Sequence, residues 1–69
     1  MQLSARNQLT GTVATIDDGA VMTIVKVDLG SGQSVTASVT KEAVADLGLS
    51  VGSPVTAIIK STEVMLGVE

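Results

Sequence analysis

The sequence predicts an all-β fold: five short strands curled into a barrel, with one short helix between the third and the fourth. Three observations predict it. Thr, Val and Ile fill most of the extended runs and alternate with a period of two, as strands with two distinct faces do. Asp-Gly and Gly-Ser-Gly groups separate the first three runs at hairpin spacing. One stretch alone, after Val39, changes to helical spacing. A chain of 69 residues makes one domain, residues 1–69, so a function that needs two lobes has to come from several copies.

Taken in order, the first strand spans Leu9 to Ile16, where Thr alternates with small or apolar residues. Asp17-Asp18-Gly19 closes it with residues that tolerate a tight turn. The second strand, Ala20 to Leu29, places Val21, Thr23, Val25, Val27 and Leu29 on one face and Met22, Ile24, Lys26 and Asp28 on the other. Gly30-Ser31-Gly32-Gln33 is the second hairpin turn, and Ser34 to Val39 returns with Val35, Ala37 and Val39 in phase. Thr40 then suits a helix N-cap, Glu42 the positive end of the helix dipole, and Ala43, Val44 and Leu47 fall at helical spacing before Gly48 ends about two turns. After the Ser50–Pro54 loop, Val55 to Lys60 and Val64 to Val68 read as the fourth and fifth strands. This element order is that of an OB-type barrel, though not of that barrel alone.

Composition points to assembly. Hydrophobic residues make up 45% of the chain and none is aromatic, so apolar area is spread over many small side chains, much of it available to another subunit. Chains this short usually need a disulfide, a structural metal or a partner. With no Cys and no His, thiolate and imidazole sites are excluded, which leaves a homo-oligomer. The net charge of −3 repels anions and nucleic acid at long range, so an anion site has to be local. Only Arg6, Lys26, Lys41 and Lys60 can supply cations to it. No segment has the apolar length of a membrane span, and MQLSARN lacks the apolar core of a signal peptide, which makes the cytoplasm the expected location and a membrane no partner.

Ser4-Ala5-Arg6-Asn7-Gln8-Leu9, followed by Gly11 and Val13, resembles the opening signature of the molbindin (Mop) family, the stand-alone form of the TOBE domain. The resemblance continues through Gly19-Ala20-Val21, the Thr40 to Leu49 segment, and Lys60-Ser61-Thr62-Glu63-Val64-Met65. It implies an OB-like barrel assembled as a hexamer, a trimer of dimers, with molybdate or tungstate held between subunits and no organic cofactor. By that resemblance Ser4, Ala5, Arg6, Lys60 and Ser61 form one class of oxyanion site, completed by Thr40 and backbone amides near Ala43 from a second subunit. Some relatives carry a hydroxyl at the position of Ala43, and its absence removes one donor here. A second class of site, near the threefold axis, would draw on Gly19, Ala20, Val21 and Met22. Met1 and the short length lead us to expect a stand-alone protein.

The residue types fit that chemistry. Molybdate is a dianion without a proton at neutral pH, so its ideal cage contains donors only: hydroxyls, backbone N–H groups, Lys and Arg. Phosphate keeps a proton on many molecules and wants an acceptor. Sulfate has the charge and shape of molybdate on a smaller frame, so a rigid cage is needed to reject it. By residue type alone, Arg6 reads as a solvated arm residue and Lys60 as an edge-strand charge that deters pairing. Thr40 is a cap in either case, and Met22 and Met65 read as apolar fillers.

Catalysis has little to stand on, because Asp17-Asp18 reads as turn chemistry and no nucleophile–base pair or phosphate loop occurs. We therefore expect a binding protein for oxyanion storage or homeostasis, not an enzyme. One rival reading is a sensing or accessory domain of a transcription regulator or importer ATPase; another is an oligomerisation module without ligand. A single-strand nucleic-acid binder is disfavoured, since such surfaces combine basic grooves with stacking aromatics.

Overall fold

The computed structural model describes residues Met1–Glu69. Its elements are β1 (Asn7–Asp18), β2 (Met22–Gly30), β3 (Gln33–Thr40), α1 (Lys41–Leu47), β4 (Pro54–Ile59) and a single 3₁₀ turn at Ser61–Glu63. All four strands lie in one antiparallel sheet with the order β3-β2-β1-β4. Strand β1 is the shared strand. Its first half, Asn7–Thr12, pairs with β4 and its second half with β2, and a register shift between Val13 and Thr15 marks where it changes partners. A strand that serves two neighbours at an angle has to bend, and a bulge supplies the bend.

Gly11 lies just before that bulge, where a Cβ would overlap the Asp28 carbonyl and stand 3.0 Å from Val27 Cγ1. Only a glycine lets β1 cross β2 this closely. On the other side of the bend, the β4 approach loop is tied in by Val13 N–H to the Ser53 carbonyl and Gly52 N–H to the Val13 carbonyl, at 2.9 and 2.8 Å. The β2–β3 connection is a two-residue hairpin in which Ser31 and Gly32 both take positive φ, 54° and 78°. This is the backbone that matches the right-handed strand twist.

The predicted alternation holds through β2 and β3. Thr23, Val25 and Val27 face inward and are buried, while Val35, Ala37 and Val39 are half-buried on the matching face of β3. The core is small: Val13, Val25 and Val27, with Ile16, Leu29, Val39, Val44, Leu49 and Val55 packed around them. Thr23 is the one buried polar residue, and its hydroxyl donates to Asp18 Oδ1 at 3.2 Å. Thr40 caps α1, its Oγ1 accepting from Ala43 N–H at 3.0 Å, and Gly48 ends the helix in the left-handed conformation.

One expected element is absent. Val64–Val68 has the alternation of a strand but pairs with nothing, and the last backbone hydrogen bond before it joins Val64 N–H to the Ser61 carbonyl. Beyond that turn, Met65, Leu66 and Val68 are each more than nine-tenths exposed. A strand needs a neighbour to satisfy its backbone, and this chain presents none alongside residues 64–69. The barrel is therefore open, with β3 and β4 as unpaired edges. Between them lies an apolar cleft of about 400 Å³ lined by Val35, Ala37, Val39, Val55, Ala57 and Ile59 among others.

Candidate oxyanion site

Antiparallel pairing of β1 with β4 decides where the polar termini of these strands meet. Asn7 is the register partner of Ile59, so the residues that precede Asn7 and those that follow Ile59 emerge side by side. Two side chains hold this corner. Asn7 Nδ2 donates to the Ile59 carbonyl at 3.1 Å, and Gln8 Nε2 reaches back to the Ala5 carbonyl at 3.1 Å, which turns the N-terminal arm over the strand ends.

The result is an open pocket of about 270 Å³ lined by Ser4, Ala5, Arg6, Lys60, Ser61 and Thr62. Two cations and three hydroxyls converge there without a carboxylate in the lining. None of these five side chains enters a side-chain hydrogen bond within the chain. Their donors are thus free for an external acceptor, and an ion that offers only acceptors meets no repulsive partner. Five of the expected site residues are brought together in this way. Thr62 was not expected; the signal for it was a second hydroxyl following Ser61 immediately after a basic strand end.

Thr40 and Ala43 do not line this pocket. They lie with Gly19–Met22, because Met22 is the register partner of Thr40 and Lys41 N–H donates to the Val21 carbonyl at 3.1 Å. The β1–β2 turn and the start of α1 therefore form one continuous surface, with Val21 and Met22 exposed. Ser4–Arg6 precede the twelve-residue strand β1 and Gly19 follows it, about 40 Å of strand path at the usual rise per residue. The structure also assigns the Ala43 N–H to the cap. Of the groups expected there, the Thr40 hydroxyl retains a proton to give.

Residues 3–66 match the family model described as the TOBE domain, a span that includes Arg6 and the Lys60-Ser61-Thr62 run. The chain belongs to the TOBE domain family, in its molbindin (Mop) branch. It is 49% identical over its full length, and the full length of the relative, to a probable molybdenum-pterin-binding protein of Haemophilus influenzae. Among solved structures, this TOBE chain superposes with a TM-score of 0.94 and 54% identity on the cytoplasmic molybdate-binding protein ModG with molybdate bound. That match covers all of this chain and 49% of ModG. It superposes with a TM-score of 0.90 and 36% identity on apo MopII of Clostridium pasteurianum, covering 97% of this chain and all of MopII. No helix of the TOBE chain is long and apolar enough to cross a membrane.

Proposed function

We propose that this TOBE-family chain binds molybdate or tungstate in the cytoplasm, for storage or homeostasis and without catalysis. The observation that carries the reading is the pocket of Ser4, Arg6, Lys60, Ser61 and Thr62, which gathers donors and cations and excludes carboxylates in a protein of net charge −3. Relatives named for molybdenum-pterin or molybdate binding support it.

The pocket is open on one side, and the Thr40 surface of the same chain lies at the other end of β1. A second subunit's Thr40, with groups near its Ala43, therefore closes the cage in this reading, and the Gly19–Met22 turns supply the second class of site. A hexamer built as a trimer of dimers offers both kinds of junction. A cage held between folded subunits is also stiff. Sulfate, which is smaller, then lengthens every hydrogen bond at once, and protonated phosphate finds no acceptor.

Calorimetric titration with molybdate, followed by competition with tungstate, sulfate and phosphate, tests this. Molybdate and tungstate should bind much more tightly than sulfate, with phosphate weakest. No heat with either metal oxyanion, or phosphate binding as well as molybdate, would overturn the reading.

A further inference from the structure

The oxyanion pocket is made by two pieces of chain that are held very differently. Lys60, Ser61 and Thr62 follow β4 directly and lie in the 3₁₀ turn, which is closed by Glu63 N–H on the Lys60 carbonyl at 2.9 Å and Val64 N–H on the Ser61 carbonyl at 3.3 Å. Ser4, Ala5 and Arg6 belong to an arm that precedes the first ladder pair, Asn7–Ile59, and bends at Ser4 and again at Arg6. None of the turn and loop backbone bonds involves residues 1–6. Of these six residues Ala5 alone is even half-buried. A single hydrogen bond ties the arm down, from Gln8 Nε2 to the Ala5 carbonyl at 3.1 Å, and it spans the bend at Arg6. Without that bond a chain end with so few restraints would spread over many conformations, most of which carry Ser4 and Arg6 away from Lys60.

We infer that Gln8 is a positioning residue, a clasp that holds Ser4 and Arg6 in their binding arrangement before the anion arrives. Gln8 does not line the pocket. Its backbone lies in β1 opposite Ile58, and its amide acts on the anion only through Ala5. A ligand that meets a preformed cage avoids the entropy of ordering one, and a cage formed only part of the time lowers the apparent affinity by that fraction. An exposed hydrogen bond shifts such an equilibrium roughly two- to tenfold. The inference rests on the oxyanion reading above and adds to it a residue that sets affinity without touching the ion.

Gln8→Met tests it, because methionine matches the length of the side chain and cannot donate to Ala5. The full chain carrying it should unfold at the same denaturant concentration as the parent, since Gln8 is exposed, and should bind molybdate about two- to tenfold more weakly by calorimetry. A double-mutant cycle separates positioning from general disturbance. In a background of Ser4→Ala and Arg6→Ala the arm has no side-chain donor left to position, so Gln8→Met should cost nothing further. In a Lys60→Met background, whose loss lies on the other piece of chain, it should cost its full factor. Equal losses in both backgrounds would overturn the inference, as would unchanged affinity in Gln8→Met. Molybdate giving no heat with the unsubstituted protein would defeat the oxyanion reading and this inference with it, a result distinct from binding that Gln8→Met leaves unchanged. Should the variant misfold, backbone relaxation of the ligand-free parent decides. The amides of Ala5 and Arg6 should be as ordered as those of β1, and disorder matching that of Met1 and Gln2 would overturn the inference.

Discussion

Lys60 follows β4 and immediately precedes the 3₁₀ turn, its side chain free of internal partners, and Arg6 lines the same pocket. Both can be altered without disturbing the core. Lys60→Met keeps most of the apolar stem and removes the ammonium, so packing along β4 should survive. Loss of a charge-assisted hydrogen bond costs roughly 1.5–3 kcal/mol, which corresponds to about one to two powers of ten in affinity. Titration of Lys60→Met and Arg6→Ala with molybdate should show that loss at one class of site, with the sites near Gly19–Met22 spared; unchanged affinity in Lys60→Met would remove Lys60 from the site. The motif residues at the two ends of this pocket were legible in the sequence because they resemble a family signature. Their adjacency was not, since it depends on the Asn7–Ile59 register. Thr62 was missed for the same reason: hydroxyls are common at strand ends, and only the turn after Lys60 brings this one to the pocket.

At the scale of elements, Thr40 caps α1 and, in the proposed reading, also donates to the oxyanion, and substitutions can separate the two roles. Its oxygen caps α1 through Ala43 N–H, so Thr40→Ala should cost about 1 kcal/mol in denaturant unfolding. Asp caps a helix as well as Thr does but brings negative charge and no proton to donate. Thr40→Asp should therefore keep the stability of the parent protein and still weaken oxyanion binding. Equal binding by Thr40→Asp and the parent would confine Thr40 to capping. The helix, its cap and its glycine stop were readable from sequence because they obey local rules. Strands β1 and β4 were readable in kind but not in extent: β1 runs two residues further at each end than its alternation suggests, held there by Ile59 at one end and Thr23 at the other. The run Val64–Val68 was read as a strand from its pattern, and the pattern is real. What a sequence pattern cannot specify is the neighbour that completes it, and none lies within this chain.

For the whole molecule, a four-residue core beside an exposed apolar cleft leaves the isolated chain little buried apolar area to hold it together, and the proposed assembly would supply the rest. The same arrangement sets a hazard. Strand β3, Gln33–Thr40, contains no charged residue and no proline, and β4 contains only the proline at its start. Natural edge strands are usually guarded by lysines, bulges or covering segments, because a bare edge accepts any extended chain that meets it. If residues 64–69 are removed, the chain keeps its two unpaired edges but loses the one uncharged extended run outside the sheet that could lie along them. Pairing then has no natural end point, and edge can add to edge from one molecule to the next. The shortened chain should accordingly pass into filaments or precipitate, followed by light scattering and by the fluorescence of an amyloid dye. A clear, strand-rich solution of monomers would mean that β3 is guarded from within its own chain.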